Sequence, residues 1–211
     1  SVHHLDDAGW RALRAHGLRT VVDLRSDFER TAAPYAAAGD LAVVETGWED
    51  GLLDDPEFRS WAEDGSLATA WYYRRFLERW PERTAGVVAA VADAAPGGVL
   101  VHCVRGRERT GLLVLLLLAV AGVDHGAIVA GFAETDRRLL GVRPADGPDG
   151  TEAERALWAG AGTSAAATVA ALLDELDVAA YLLAGGCTPD QLDRVRERLV
   201  GPASAPDEAG R

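Results

Sequence analysis

The chain of 211 residues contains no lysine and no methionine, and only two cysteines, Cys103 and Cys187. All 21 basic residues are therefore arginine; with heavy alanine and glycine usage, this reads as a bias towards GC-rich codons, not as a functional signal. The absence of methionine marks Ser1 as something other than a natural start, so a fragment or a processed form is expected. Two cysteines make no disulfide framework, which favours a reducing, cytoplasmic setting, with secretion left open because no true N-terminus is seen. Positive charge is scarce too. The 33 acidic residues set a formal net charge of −12, which argues against nucleic acid as a partner and against an anionic membrane surface bound by bulk charge. No apolar run is long enough for a bilayer: Leu112–Val123 is far short of the roughly 20 residues needed, so no stable membrane insertion is expected. That run reads as a buried core helix.

What the chain does contain is one unusual segment, His102-Cys103-Val104-Arg105-Gly106-Arg107-Glu108-Arg109-Thr110-Gly111. It follows the apolar run Val99–Val101 and precedes the aliphatic stretch Leu112–Val120, a pattern of strand, tight loop and helix. Backbone N–H groups gathered at a helix N-terminus favour anions. The same field favours a thiolate at the loop's base, and an arginine at its far end grips two phosphate oxygens at once. This is the chemistry of a cysteine-dependent phosphatase, and it calls for no metal and no cofactor. Cys103 is the expected nucleophile, passing through a cysteinyl-phosphate that water hydrolyses. Val104, Arg105, Gly106, Arg107 and Arg109 are the expected phosphate binders, with Arg109 also stabilising transition-state charge. Thr110 either donates its hydroxyl to the thiolate or caps the helix. His102 is expected to order the loop by hydrogen bonds. A merely buried cysteine would leave three arginines and a glutamate in one tight loop unexplained.

Along the rest of the chain, strand and helix patterns alternate. Asp6-Asp7 to Gly17 reads as a short amphipathic helix, Leu18–Leu24 and Leu41–Val44 as strands. Aromatics crowd between Trp61 and Trp80, helical from about Ser66 and ending at Pro81, and a small-residue helix follows from Gly86. Further helices are expected at about His125–Leu140, over Thr163–Leu183, and from the capping box Thr188-Pro189-Asp190-Gln191 to about Val200. Residues 141–151 read as loop and 201–211 as a polar, frayed tail. The expectation is one α/β domain over residues 1–200, with a mostly parallel central sheet flanked by helices on both faces. Asp23 and Arg25 close a strand expected beside the catalytic one, as substrate contacts at the rim or as a structural ion pair. Cys187 is expected to be structural.

The loop matches the His-Cys-x5-Arg-Thr-Gly signature of the protein tyrosine phosphatase superfamily, and the layout resembles the bacterial tyrosine-serine phosphatase family. Gly17–Ser26 with Glu29-Arg30, Thr110–Val123 with Ile128, and Ala180-Tyr181-Leu182 with Gly186 and Leu192–Leu199 carry that resemblance. It implies a protein tyrosine phosphatase-like fold and a helical lid over about residues 50–80. It also implies a general acid within the loop, which here is Glu108, unless Glu108 only shapes the loop by pairing with Arg105 or Arg107. Asp50, Asp54 and Asp55, in an acidic segment, are the rivals for that role. The family's N-terminal segment with Phe-Arg-Asp-Leu-Gly-Gly is absent, its loop Lys-Asp is Arg107-Glu108 here, and its Asp-Tyr is Gly131-Phe132. The implied partner is a phosphorylated protein, phosphotyrosine first with dual specificity open, or a phosphoinositide; no oligomeric state is specified. Two alternatives stand beside this: a phosphate-binding module without catalysis, and a rhodanese-like sulfurtransferase, whose loop lacks the Arg-Thr-Gly ending.

Overall fold

A computed structural model describes residues 2–37, 39–139 and 162–201. The expected loop over 141–151 and the tail beyond 201 lie outside the described residues. Strand β1 (Leu18–Asp23) is the middle of a three-stranded sheet, with β2 (Ala42–Glu45) and β3 (Gly98–His102) on either side, both parallel to it. Asp23 stands opposite Glu45 on one side and His102 on the other, so all three strands end together beneath the loop that begins at Cys103. Thr20-Val21-Val22 suits such a strand because β-branched side chains fill a surface buried on both faces.

The two faces of β1 serve separate cores. Val22 and Leu24 enter the larger one, while Leu18 and Val21 meet Val2 and Trp10 in a smaller one. A register irregularity between Leu18 and Thr20 lets Leu18 share the face of Val21 despite the odd spacing. Trp10 belongs to α1 (Asp7–Ala15), which starts where the Asp6 carboxylate accepts from Gly9 N–H at 2.8 Å and ends before Gly17, at φ +91°. Helices therefore cover both faces of a parallel sheet, the expected α/β architecture.

The larger core surrounds α6 (Glu108–Val120), whose Leu112, Leu113, Leu115, Leu116, Leu117 and Val120 are all buried. A helix apolar on every side must be enclosed, and α5 (Pro81–Ala92), α7 (His125–Leu139), α9 (Val178–Ala184) and α10 (Pro189–Val200) enclose it. The crowded aromatics are core as well: Trp61, Tyr72, Tyr73 and Phe76 are buried, with edge-on ring contacts such as Trp48 to Phe76 at 5.7 Å.

Several boundaries differ from the sequence expectation. Pro81 does not end a helix but begins α5, because proline lacks an N–H that the first helical turn leaves unpaired anyway. The preceding helix, α4 (Trp71–Arg79), starts later than Ser66, which lies in a separate 3-10 turn. The stretch expected as one helix from Thr163 is α8 (Ala165–Glu175) and α9, broken where Asp177 caps the second helix on Ala180 N–H. Two helices went unread, α2 (Asp27–Ala32) and α3 (Pro56–Glu63). Both carry a local signal: Ser26 and Glu29 form a capping box, and Asp55 caps with proline at the first helical position.

Candidate active site

The loop runs from the end of β3 at His102 to the first residue of α6, Glu108. Gly106, at φ +75°, makes the turn that an L side chain would strain, and its N–H points inward to Cys103 Sγ at 3.2 Å. Cys103 is buried and free, at one wall of a cavity of about 600 Å³. Val104, Arg105, Glu108 and Arg109 line the same cavity. Behind the loop, Gly111 lets α6 approach its neighbours: a Cβ there would meet a Phe132 ring carbon and the Tyr73 hydroxyl at 3.1 Å each. The Tyr73 hydroxyl in turn donates to the Glu108 carbonyl at 3.0 Å.

His102 is buried beneath the loop, with Nδ1 donating to the Cys103 carbonyl and Nε2 accepting from the Tyr35 hydroxyl, each at 3.2 Å. Burial pushes its pKa down, against the opposing charge of Asp23. Thr110 corrects one expectation. The helix starts at Glu108, so the cap position is Arg107 and Thr110 is already inside the first turn; its Oγ1 is buried with no hydrogen-bond partner among the described residues. Arg107 is also placed differently from expectation. Its side chain is buried in an ion pair with Glu108 and is not among the residues lining the cavity.

Asp23 and Arg25 do not reach the rim. They form an ion pair 1% and 2% exposed, with Arg25 Nη2 to Asp23 Oδ2 at 2.8 Å and Nε to Oδ1 at 3.0 Å. Arg25 Nη1 also donates to the Ala33 carbonyl at 2.7 Å, and the guanidinium lies 5.0 Å from the Tyr35 ring centre. Burial alone would raise the Asp23 pKa, but its hydrogen bonds with Arg25 and the nearby His102 hold it below the ordinary value. Replacing one partner strands the other as a buried charge, so Arg25→Ala should lower stability by about 3–5 kcal/mol. Chemical denaturation of the two proteins measures it; a loss under about 1 kcal/mol would make the pair incidental.

The structure adds residues that the sequence reading did not single out. Arg109 is gripped by Glu29 of α2, Nη1 to Oε2 at 2.5 Å and Nη2 to Oε1 at 2.7 Å, and Nη1 reaches Glu49 Oε2 at 3.3 Å. Burial would raise the Glu29 pKa, yet the hydrogen bonds and charge of Arg109 keep it low. Glu49 goes the other way: burial, with Glu29, Glu108 and Asp50 nearby, pushes it up to about 7 against the pull of Arg109. Of the proposed acids, Asp50 accepts from Asp27 N–H and from Arg30, both at 2.8 Å, and Asp55 caps α3 and pairs with Arg79. Asp54 lines the cavity from an exposed position. Cys187 lies far along the chain, buried, with its thiol donating to the Ala85 carbonyl at 3.3 Å.

Comparison with known proteins places the chain in a family. The chain is 32% identical over 167 residues to the triple specificity protein phosphatase PtpB of Mycobacterium tuberculosis, a match covering 66% of this chain and 60% of that protein. It is 32% identical over 142 residues to a tyrosine-protein phosphatase of Nostoc commune, covering 65% of this chain and 47% of the relative. The chain thus spans about half to three-fifths of the length of these curated relatives. A model described as the tyrosine phosphatase family matches residues 1–201, and the chain belongs to that family.

Proposed function

We propose that the chain is a cysteine-dependent phosphatase that hydrolyses phosphate monoesters, with phosphotyrosine in proteins as its first substrate. The observation that carries this is the juxtaposition of the Cys103 thiol, the inward Gly106 N–H and the Arg109 guanidinium at one cavity wall. Cys103 Sγ attacks phosphorus in line with the ester oxygen, forming a P–S bond as the P–O bond breaks. Arg109 and the loop N–H groups of Val104 to Arg107 hold the three phosphoryl oxygens, so no step needs a metal. Water then cleaves the P–S bond and restores the thiolate. In this reading residues 1–200 act as one domain, and the 50–80 segment walls the site opposite the loop through Phe58, Leu67 and Tyr72.

The cavity mouth supports the preference for an aryl ester. Phe28, Leu53 and Val104 are among the exposed large hydrophobic side chains of the described residues, and all three line this cavity. An apolar rim around an anion site suits a phosphorylated ring, whereas the hydroxyls of an inositol headgroup would lose hydration against Phe28, Leu53 and Val104. Membership of the tyrosine phosphatase family also weighs against the sulfurtransferase reading. No helix among the described residues is long and apolar enough to cross a membrane.

The test is a panel of phosphotyrosine and phosphoserine peptides and phosphoinositides, each assayed with and without a chelator. Phosphotyrosine peptide should be turned over fastest, and the chelator should change nothing. Loss of activity on chelation would replace the mechanism; a phosphoinositide turned over fastest would replace the substrate.

A further inference from the structure

We propose that Glu49, rather than the loop's own Glu108, is the acid that gives its proton to the departing ester oxygen. The proposal rests on the cysteine-dependent reading above and names the proton donor that reading requires. Glu49 lines the same cavity as Cys103 and reaches Arg109 Nη1 at 3.3 Å, so a phosphoryl group held by Arg109 lies beside its carboxyl. The turn that carries it is firmly held. Trp48 is buried and its indole N–H donates to Thr84 Oγ1 at 3.4 Å. Arg83 Nη1 donates to the carbonyls of Gly47, Trp48 and Asp50, at 3.1, 3.3 and 2.9 Å. Gly47 and Gly51, at φ +58° and +72°, bracket the turn.

The other carboxylates nearby are engaged or differently placed. Glu29 is committed to Arg109, Glu108 to Arg107, Asp50 to α2, and Asp55 to the start of α3. Asp54 stands exposed at the rim.

The titratable groups facing Glu49 come from several elements: Glu29 on α2, Glu108 and Arg109 on α6, Asp50 on its own turn, and the uncharged Tyr72 phenol on α4. Burial together with those carboxylates pushes its pKa up to about 7, so a large share carries the proton near neutrality. A bound phosphoryl dianion adds negative charge and favours the protonated form further. As the P–O bond breaks, its electron pair stays on the ester oxygen, which takes the Glu49 proton and leaves as the phenol. The Glu49 carboxylate then accepts a proton from the water that attacks the cysteinyl-phosphate, and the acid is regenerated.

Glu49→Gln and Glu108→Gln should be compared on phosphotyrosine and on dinitrophenyl phosphate, whose leaving group needs no proton. Glu49→Gln should slow phosphotyrosine by roughly 10²–10³-fold and dinitrophenyl phosphate by less than about tenfold. It should also abolish the fall of kcat/KM as pH rises through about 7. Glu108→Gln should slow both esters alike. Equal slowing of both esters by Glu49→Gln, or an unchanged alkaline limb, overturns the proposal. Turnover of the dinitrophenyl ester shows that the variant folds. Should it not fold, Glu49→Asp serves instead, and must slow phosphotyrosine more than the dinitrophenyl ester. Failure of the underlying reading looks different, since parent activity would then survive Cys103→Ser.

Discussion

Cys103→Ser should lower phosphotyrosine turnover by at least about 10³-fold, equivalent to roughly 4 kcal/mol in the barrier, while binding of a phosphotyrosine peptide persists. The reason lies in what surrounds the sulfur. A serine hydroxyl keeps its proton at neutral pH and needs a base to become a nucleophile, whereas a thiolate does not. The hydrogen bond at Sγ comes from a donor, Gly106 N–H, at 3.2 Å, which cannot remove a proton from a serine hydroxyl. His102 offers no base either, because its Nδ1 is turned to the Cys103 carbonyl and its Nε2 to Tyr35. Binding depends on Arg109 and the loop N–H groups, which the substitution leaves in place. Calorimetric titration with the peptide, beside single-turnover kinetics, separates the two effects. Turnover within tenfold of the parent would remove Cys103 from the chemistry.

Arg109→Lys should lower kcat by on the order of 10²–10³-fold, with a much smaller change in KM. Lysine keeps the charge but not the fork. In the structure that fork faces Glu29 with two parallel contacts, at 2.5 and 2.7 Å, and reaches the Leu24 carbonyl at 3.4 Å. Glu29 is itself fixed as the third residue of the α2 capping box, where it accepts from Ser26 N–H at 2.8 Å. The guanidinium is therefore oriented in advance, and in the proposed mechanism its contacts with the phosphoryl oxygens tighten as negative charge spreads in the transition state. A lysine ammonium has one point of attachment to divide between Glu29 and the phosphate. A change confined to KM would reduce Arg109 to a binder of the ground state.

These expectations share an electrostatic basis. An acidic protein that handles phosphate is expected to concentrate positive charge locally, and three arginines lie in the loop. The structure divides the three. Arg105 lines the cavity and Arg109 sits at its wall, while Arg107 is buried against Glu108. Carboxylates outnumber guanidinium groups in the cavity wall, where Asp27, Glu29, Glu49, Asp54 and Glu108 stand against Arg105 and Arg109. Glu29 fixes the clamp, and Glu49 is the carboxyl that burial and like charge keep near its proton.

The amino-acid order by itself determined the strand–loop–helix segment around Cys103, the parallel α/β plan and the central buried helix. Each of these depends on neighbours along the chain. Gly106 allows the positive-φ turn that a tight strand-to-helix loop needs, and an apolar helix must be enclosed whatever encloses it. The boundaries at Pro81 and Asp177 were legible in principle too, since both are local capping signals. Only the tertiary structure decided what meets the loop from outside it. Glu29 and Arg109 are 80 positions apart, and their contact exists because α2 and α6 both start above the ends of adjacent strands. Glu49 arrives on a turn that Trp48 and Arg83 hold against α5. Packing buries Asp23 and Arg25 against each other at the end of the middle strand instead of exposing them at the rim. A carboxyl's role follows from its solvent exposure and the charges around it, and both are set by packing between segments distant in the chain.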